Sequence, residues 1–202
     1  MDPDEDEAGG PTDAFGGVVV VEEYHGLHGK LVDRFGAGGD ATYTFVTCTL
    51  AMAVSGFAAF FFNQGLLFPS LGPTVFLFFE MPMAEMASPR NTLIGHFVAV
   101  LAGALSLAIF GLLDHSSILQ EGVTLTRVGA GALSVALTGA VLLLLRSSHP
   151  PTGATTLIVS LGLLQTPYEM VMLMIGVVLL TLVGWIINRA LGVPMPIWAP
   201  EE

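Results

Sequence analysis

The sequence is poor in cysteine and in charge, and each shortage removes a class of explanation. One cysteine, Cys48, in 202 residues leaves no intrachain disulfide and no cysteine-based metal site. Charged residues make up 11% of the chain and only six are basic, which excludes a nucleic-acid-binding surface. The patterns of common intramembrane enzymes are also missing. There is no HExxH, no pair of intramembrane aspartates and no Gly-x-Ser-x-Gly with a partner acid, so no catalytic residues are assigned and the chain is not expected to be an enzyme. No cofactor is called for. The five histidines are scattered, and His25 and His28 are spaced for a chance surface metal site at most.

What the sequence has in abundance is apolar length. With 53% hydrophobic residues and a mean hydropathy of +0.75, the chain reads as an integral, multi-pass membrane protein whose solvent is the lipid bilayer. Ten of the seventeen acids lie in residues 1–40, against two of the six basic residues, so the remainder is nearly neutral. That acidic segment buries too little apolar surface to order itself. Its first 20 or so residues read as disordered and the next 20 as a surface-lying lead-in. Lacking a basic start and an apolar run, it does not read as a cleaved signal.

Four apolar runs, about 43–62, 92–113, 123–145 and 168–187, are close to the ~20 residues that a bilayer requires. Between them lie two shorter runs, "LLFPSLGPTVFLFF" at 66–79 and "HPPTGATTLIVSLGLL" at 149–164, each opening with proline and glycine. Sliding the chain by 81 residues lays Pro69 on Pro150, Gly72 on Gly153 and Thr74 on Thr155, and lays each flanking span on another. The expected fold is therefore all-α, with two inverted repeats of span, broken segment and span, about six crossings in all. The divisions are 1–40 (acidic segment), 41–113 (first repeat), 114–122 (linker), 123–194 (second repeat) and 195–202 (tail). Six crossings put Lys30, Arg34, Arg90, Arg146 and Arg189 on one side, read as cytoplasmic together with both termini, and Asp114, Glu121 and Glu169 on the other.

Broken segments at matching places in two halves point to a binding site. A stretch from Gly65 to Leu71 extends about 20 Å, and a helix from Gly72 to Glu80 adds about 13 Å, which sets the helix starts near mid-membrane. Ser70 is expected to cap the first short helix, with Pro73 in its first turn, and Thr152 to cap a second beginning at Gly153. Free N–H groups at two such starts, with the helix dipoles, form an anion site. Hydroxyls of Ser70, Thr74, Thr152, Thr155 and Thr156 add donors. His149, with Pro150 and Pro151 holding the chain extended, and His96 are placed on the pathway, and Arg90 and Arg146 at its mouth. Arg127, one turn inside its span, is read as snorkelling to the interface. Phe57, Phe60, Phe61 and Phe62 face lipid or core, and the small residues "GAGALSVALTG" at 129–139 imply close helix packing.

Three stretches in order, "FPSLGPTVFLFF", "SPRNTLIGH" and "SSHPPTGATTLI", resemble the HPP-motif integral membrane proteins, named for a tripeptide found here as His149, Pro150 and Pro151. The resemblance covers roughly 43–190, and an added soluble domain such as some relatives carry is not expected from these residues. It implies membrane transport, with nitrite first among small monovalent anions, since plastid members are assigned as nitrite transporters. An intramembrane enzyme using His149 and a non-transporting membrane sensor or partner are the competing functions. Size suggests a homo-oligomer, trimer or dimer, in the cell membrane.

Overall fold

The computed structural model describes residues 25–199; the strongly acidic first 24 residues, with the disorder expected of them, lie outside the described residues. The described residues form helices and connecting turns. A short α1 (Gly26–Phe35) leads into α2 (Ala37–Phe62); then come α3 (Leu71–Glu80), a 3-10 turn (Glu85–Ala87) and α4 (Pro89–Ile109). After α5 (Ile118–Glu121), the pattern of long, short, long returns as α6 (Leu125–Leu144), α7 (Thr152–Ser160) and α8 (Pro167–Ala190). Four helices, α2, α4, α6 and α8, are long and apolar enough to cross a membrane, which makes this a multi-pass membrane protein. The outward phenylalanines of α2 fit a lipid solvent, Phe60 being 84% exposed.

Local chemistry sets the helix starts. Ser88 and Thr124 accept from the backbone N–H groups of Asn91 and Arg127, and Thr166 with Glu169 forms a complete capping box. Proline at the first position of α4 and α8 loses nothing, because that N–H has no helical partner. α2 stops at left-handed Asn63, and α6 is followed by left-handed Arg146. Two boundaries differ from the hydropathy runs. α2 begins at Ala37 rather than near 43, with Asp40 in its first turn, where a carboxylate suits the dipole. α4 ends at Ile109 because Gly111 turns the chain.

α4 and α8 pack on each other in the centre; α6 and α7 pack around α4, while α2 and α3 pack around α8. Exchanging α2 with α6, α3 with α7 and α4 with α8 reproduces the same list of neighbours. Side-chain detail follows the 81-residue offset. A Cβ on Gly103 of α4 would meet Val159 of α7 at 2.7 Å, and one on Gly184 of α8 would meet Phe78 of α3 at 2.5 Å. Both members of the first pair lie 81 residues from their counterparts in the second.

The two ends of the bundle are held by different bonds. At one end Asn188 of α8 donates to the Phe78 carbonyl and accepts from Tyr43, Arg90 reaches the Leu145 and Arg146 carbonyls, and the Arg90 N–H meets the Trp198 carbonyl. His28 lies here too, buried, stacked on Tyr43 and bonded to Asp40. It is no surface ligand, because α1 folds back on α2. At the other end the Ile118 N–H meets the Leu161 carbonyl, Gln165 reaches the His115 carbonyl, and Tyr168 bonds Gln64.

Candidate functional site

The starts of the two short helices meet around one imidazole. His96, on α4, is fully buried and bonded at both ring nitrogens: Nε2 lies 3.2 Å from Thr74 Oγ1 of α3, and Nδ1 lies 2.7 Å from Thr155 Oγ1 of α7. Thr74 and Thr155 are the pair superimposed by the 81-residue shift. His96 thus sits between equivalent side chains of the two halves, at a point that its own equivalent, Val177, does not furnish. His149 closes the group: its Nε2 is 3.3 Å from Thr74 Oγ1, its Nδ1 is 2.7 Å from the Met86 carbonyl, and its ring stands edge-on to that of His96 at 5.2 Å between centroids.

The backbone explains why these groups meet. Gly95 lets α4 approach the turn before α7 so closely that a Cβ there would lie 2.6 Å from Thr152 Cγ2 and 3.1 Å from His149 Cβ. The 3-10 turn before α4 presents the Met86 carbonyl to His149, and its first carbonyl, Glu85, accepts from the buried Asn91 amide. Prolines 150 and 151 carry the chain from His149 into α7 with no N–H left to satisfy.

Protonation follows from what each partner can do. A carbonyl only accepts, so His149 donates through Nδ1 and its neutral Nε2 is an acceptor. The Thr74 hydroxyl then donates to His149, His96 donates through Nε2 to the Thr74 oxygen, and Thr155 donates to His96 Nδ1. Thr74 also has the Ser70 carbonyl at 3.2 Å as another acceptor.

Several expectations change here. Neither Ser70 nor Thr152 caps its helix. The residues at the cap positions, Ser70 and Pro151, already have helical backbone, and the Thr152 hydroxyl turns back to the His149 carbonyl at 2.7 Å. The N–H groups expected to be free are also taken. Those of Leu71 and Gly72 bond to Phe68 and Pro69, and those of Thr152, Gly153 and Ala154 bond to His149, Pro150 and Pro151. The chain enters each helix through a tight turn that supplies its own acceptors. What remains at the helix starts is the dipole and the side chains.

Ser70 and Thr156 are buried with no partner for their hydroxyls. Space opens beside the glycines: a Cβ on Gly72 or Gly153 would touch nothing within 4 Å, and Gly153 lines a groove of about 260 Å³ with Thr138, Ser148, His149, Pro150 and Thr152. Pro73 is in the first turn of α3. Arg90 and Arg146 lie at the end of the bundle nearest His149, where Arg90 fastens α4 to the first two carbonyls after α6.

Arg127 does not snorkel. It is 2% exposed and donates to the Ser160 and Ser116 carbonyls, because the 111–117 loop and the end of α7 close over it. With Ser134, bonded to Ser160 at 2.9 Å, it begins a polar seam between α6 and α7, and the buried Thr156 follows one turn nearer the start of α7. The signal for α7's share was present: Thr152, Thr156 and Ser160 recur every four residues on one helix face.

Comparison with known proteins agrees with this architecture. The sequence model of the family described as HPP, transmembrane region, matches residues 36–196. A curated transmembrane protein of Dictyostelium discoideum is 29% identical over 102 residues, covering 49% of this chain and 31% of that protein, so the match spans under a third of the relative's length. No solved structure matches.

Proposed function

This chain belongs to the HPP transmembrane family, and from that premise we propose that it is a transporter or channel for a small monovalent anion, nitrite first. The observation that carries the proposal is the buried group of His96, Thr74, Thr155 and His149 at the meeting point of two short helices, with hydroxyls of Ser70 and Thr156 left without partners. Ionisable side chains buried within a membrane domain are costly to keep there, which makes them first candidates for a substrate path. The helix dipoles favour negative charge where the two starts converge, and the hydroxyls donate to it. A protonated imidazole supplies the positive charge that the bonded backbone N–H groups do not.

The finer architecture belongs to the same proposal. α3 ends beside the Asn188 end of the bundle and α7 ends beside Arg127 and α5, so the short helices leave the central histidines in opposite directions. This supports two inverted repeats with six crossings, each short helix completing a crossing begun by the extended chain before it. Lys30, Arg34, Arg90, Arg146 and Arg189 then lie on one side, cytoplasmic by the positive-inside rule, at the cell membrane. A homo-oligomer fits the exposed apolar faces of a protomer this small, with a small inorganic anion and the bilayer as its other partners.

Nitrite uptake into liposomes containing only the purified protein tests the function. Uptake above that of empty vesicles, without potassium flux, is expected, and potassium flux in its place would point to a cation path. For the topology, with Cys48 replaced, single cysteines at Gln120 and Gln165 should label from outside the cell, and ones at Met83 and Ser148 only after permeabilisation.

A further inference from the structure

The histidines are joined by one hydroxyl, and that hydroxyl has more acceptors than protons. In the neutral state the only arrangement that satisfies every bond to the two imidazoles runs one way: Thr155 to His96, His96 to Thr74, Thr74 to His149 and His149 to the Met86 carbonyl. An added proton on His149 Nε2 reverses that bond, and Thr74 accommodates it by turning its own hydrogen to the Ser70 carbonyl, 3.2 Å away. A proton added at His96 Nδ1, with Thr155 turned to accept from it, can also pass on: His96 Nε2 gives its proton to Thr74 Oγ1 while Thr74 gives its own to His149 Nε2, which leaves His96 neutral with its proton on Nδ1. The hydroxyl is regenerated, the charge has moved from one imidazole to the other, and no other reactant is consumed.

We propose that Thr74 relays a proton between His149 and His96, so that the transported anion crosses together with one proton held by this pair. The inference rests on the transport function argued above and adds its coupling ion. Among the described residues no carboxylate bonds to the group. Charged and titratable side chains on the surrounding elements are Glu80 on α3, Glu85 in the 3-10 turn, Arg90 on α4 itself, Arg127 on α6, Tyr168, Glu169 and Arg189 on α8, and Asp40, Tyr43 and Cys48 on α2, with none on α7. Apart from Cys48 these lie in the end turns, or within two turns of the ends, of their elements, so the proton has the two imidazoles as its sites at the centre. The rings belong to different elements, α4 and the turn before α7, and a movement that separates them would break the relay at Thr74.

The test uses liposomes holding purified wild type, Thr74→Val or Thr74→Ser, with luminal nitrite and luminal pH recorded together and empty vesicles subtracted. With the membrane potential clamped at zero, an inward proton gradient should drive wild-type nitrite uptake and acidify the lumen by one proton per anion. Thr74→Val should lower this by about tenfold or more, as expected for loss of a proton-transfer group, and Thr74→Ser should retain it. Wild-type uptake that ignores the proton gradient and follows membrane potential would overturn the relay while leaving anion transport intact. Absence of wild-type uptake would remove the transport function instead. The relay is then decided by nitrogen NMR of labelled histidines in the same protein. His149 protonated at Nδ1, His96 at Nε2, and a common titration midpoint that splits in Thr74→Val support it; independent titration in the wild type overturns it.

Discussion

The two short helices bury the same five positions and fill them with different chemistry. α3 buries Leu71, Thr74, Val75, Phe78 and Phe79; at a constant offset of 81, α7 buries Thr152, Thr155, Thr156, Val159 and Ser160, and Ile158 besides. The fold fixes which positions face inward, since both helices pack on the central α4–α8 pair in the same register. It does not fix what stands there. α3 is anchored by volume, with Phe78 and Phe79 wholly buried, whereas α7 is anchored by hydrogen bonds, down to the Ser134 hydroxyl on Ser160. Threonine is common to both at one position only, where each side chain reaches His96.

The largest expected difference between the halves lies at Arg127, whose counterpart in α2 is the exposed Val46. Arg127→Met removes two charge-assisted bonds and strands the buried Ser160 carbonyl, so we expect a loss of about 3 kcal/mol in the thermal unfolding of the detergent-solubilised protein. Val46→Ala, on the outer face, should change stability by less than about 0.5 kcal/mol. Equal effects would mean that the second half does not depend on its polar anchor.

Next come the paired glycines. A Cβ at Gly103 meets Val159 Cβ at 2.7 Å and the Thr156 carbonyl at 3.0 Å, whereas one at Gly184 meets the edge of the Phe78 ring. A ring edge shifts more readily than atoms next to the backbone. Both alanine variants should destabilise by about 1–3 kcal/mol, with Gly103→Ala the worse, and in double-mutant cycles Phe78→Ala, which removes the ring atoms, should offset the clash of Gly184→Ala, whereas Val159→Ala keeps the Cβ that Gly103→Ala meets and should not remove its clash. Rescue of Gly103→Ala by Phe78→Ala would break the correspondence between the halves.

His149 has no polar counterpart, since Phe68 occupies its place in the first half. His149→Gln should preserve assembly and lower transport by about tenfold, equivalent to about 1.4 kcal/mol of barrier, with a flatter pH profile. His96→Gln should act in the same direction to a smaller extent, because a glutamine amide can still bridge the two threonines. An unchanged pH profile in His149→Gln would make this histidine a structural post for the Met86 turn.

Much of the scaffold was legible because hydropathy and the 81-residue repeat are long-range signals that survive substitution. Thr74, Thr155, His96 and His149 could each be singled out, as polar groups in apolar surroundings. Their joining could not, since nothing in a linear sequence says that one ring bonds a threonine from each half. The helix-start N–H groups were misjudged for a local reason. Prolines 69, 150 and 151 suggested extended chain, but their carbonyls, with those of Phe68 and His149, are turned inward by tight bends and are the acceptors for those groups. Arg127 was misjudged because the loop that covers it is set by tertiary packing alone.

The smallest effect, and the one that separates packing from transport most cleanly, is expected at Thr156. Its counterpart Val75 is an isosteric apolar residue at an equally buried position, so the scaffold accepts valine there. The Thr156 hydroxyl has no partner within the protein, and an unsatisfied buried hydroxyl costs on the order of 1 kcal/mol. If α7 were anchored for stability alone, Thr156→Val would raise stability by up to about 1 kcal/mol and leave transport unchanged. We expect the stability gain together with a several-fold loss of nitrite uptake, because the hydroxyl lies on the polar seam between Arg127 and His96 and meets its partner in the passing anion. The reverse substitution, Val75→Thr, should cost stability without increasing uptake, since the first half has no polar seam to extend. Uptake unaffected by Thr156→Val would move the path away from α7 and leave the seam as packing.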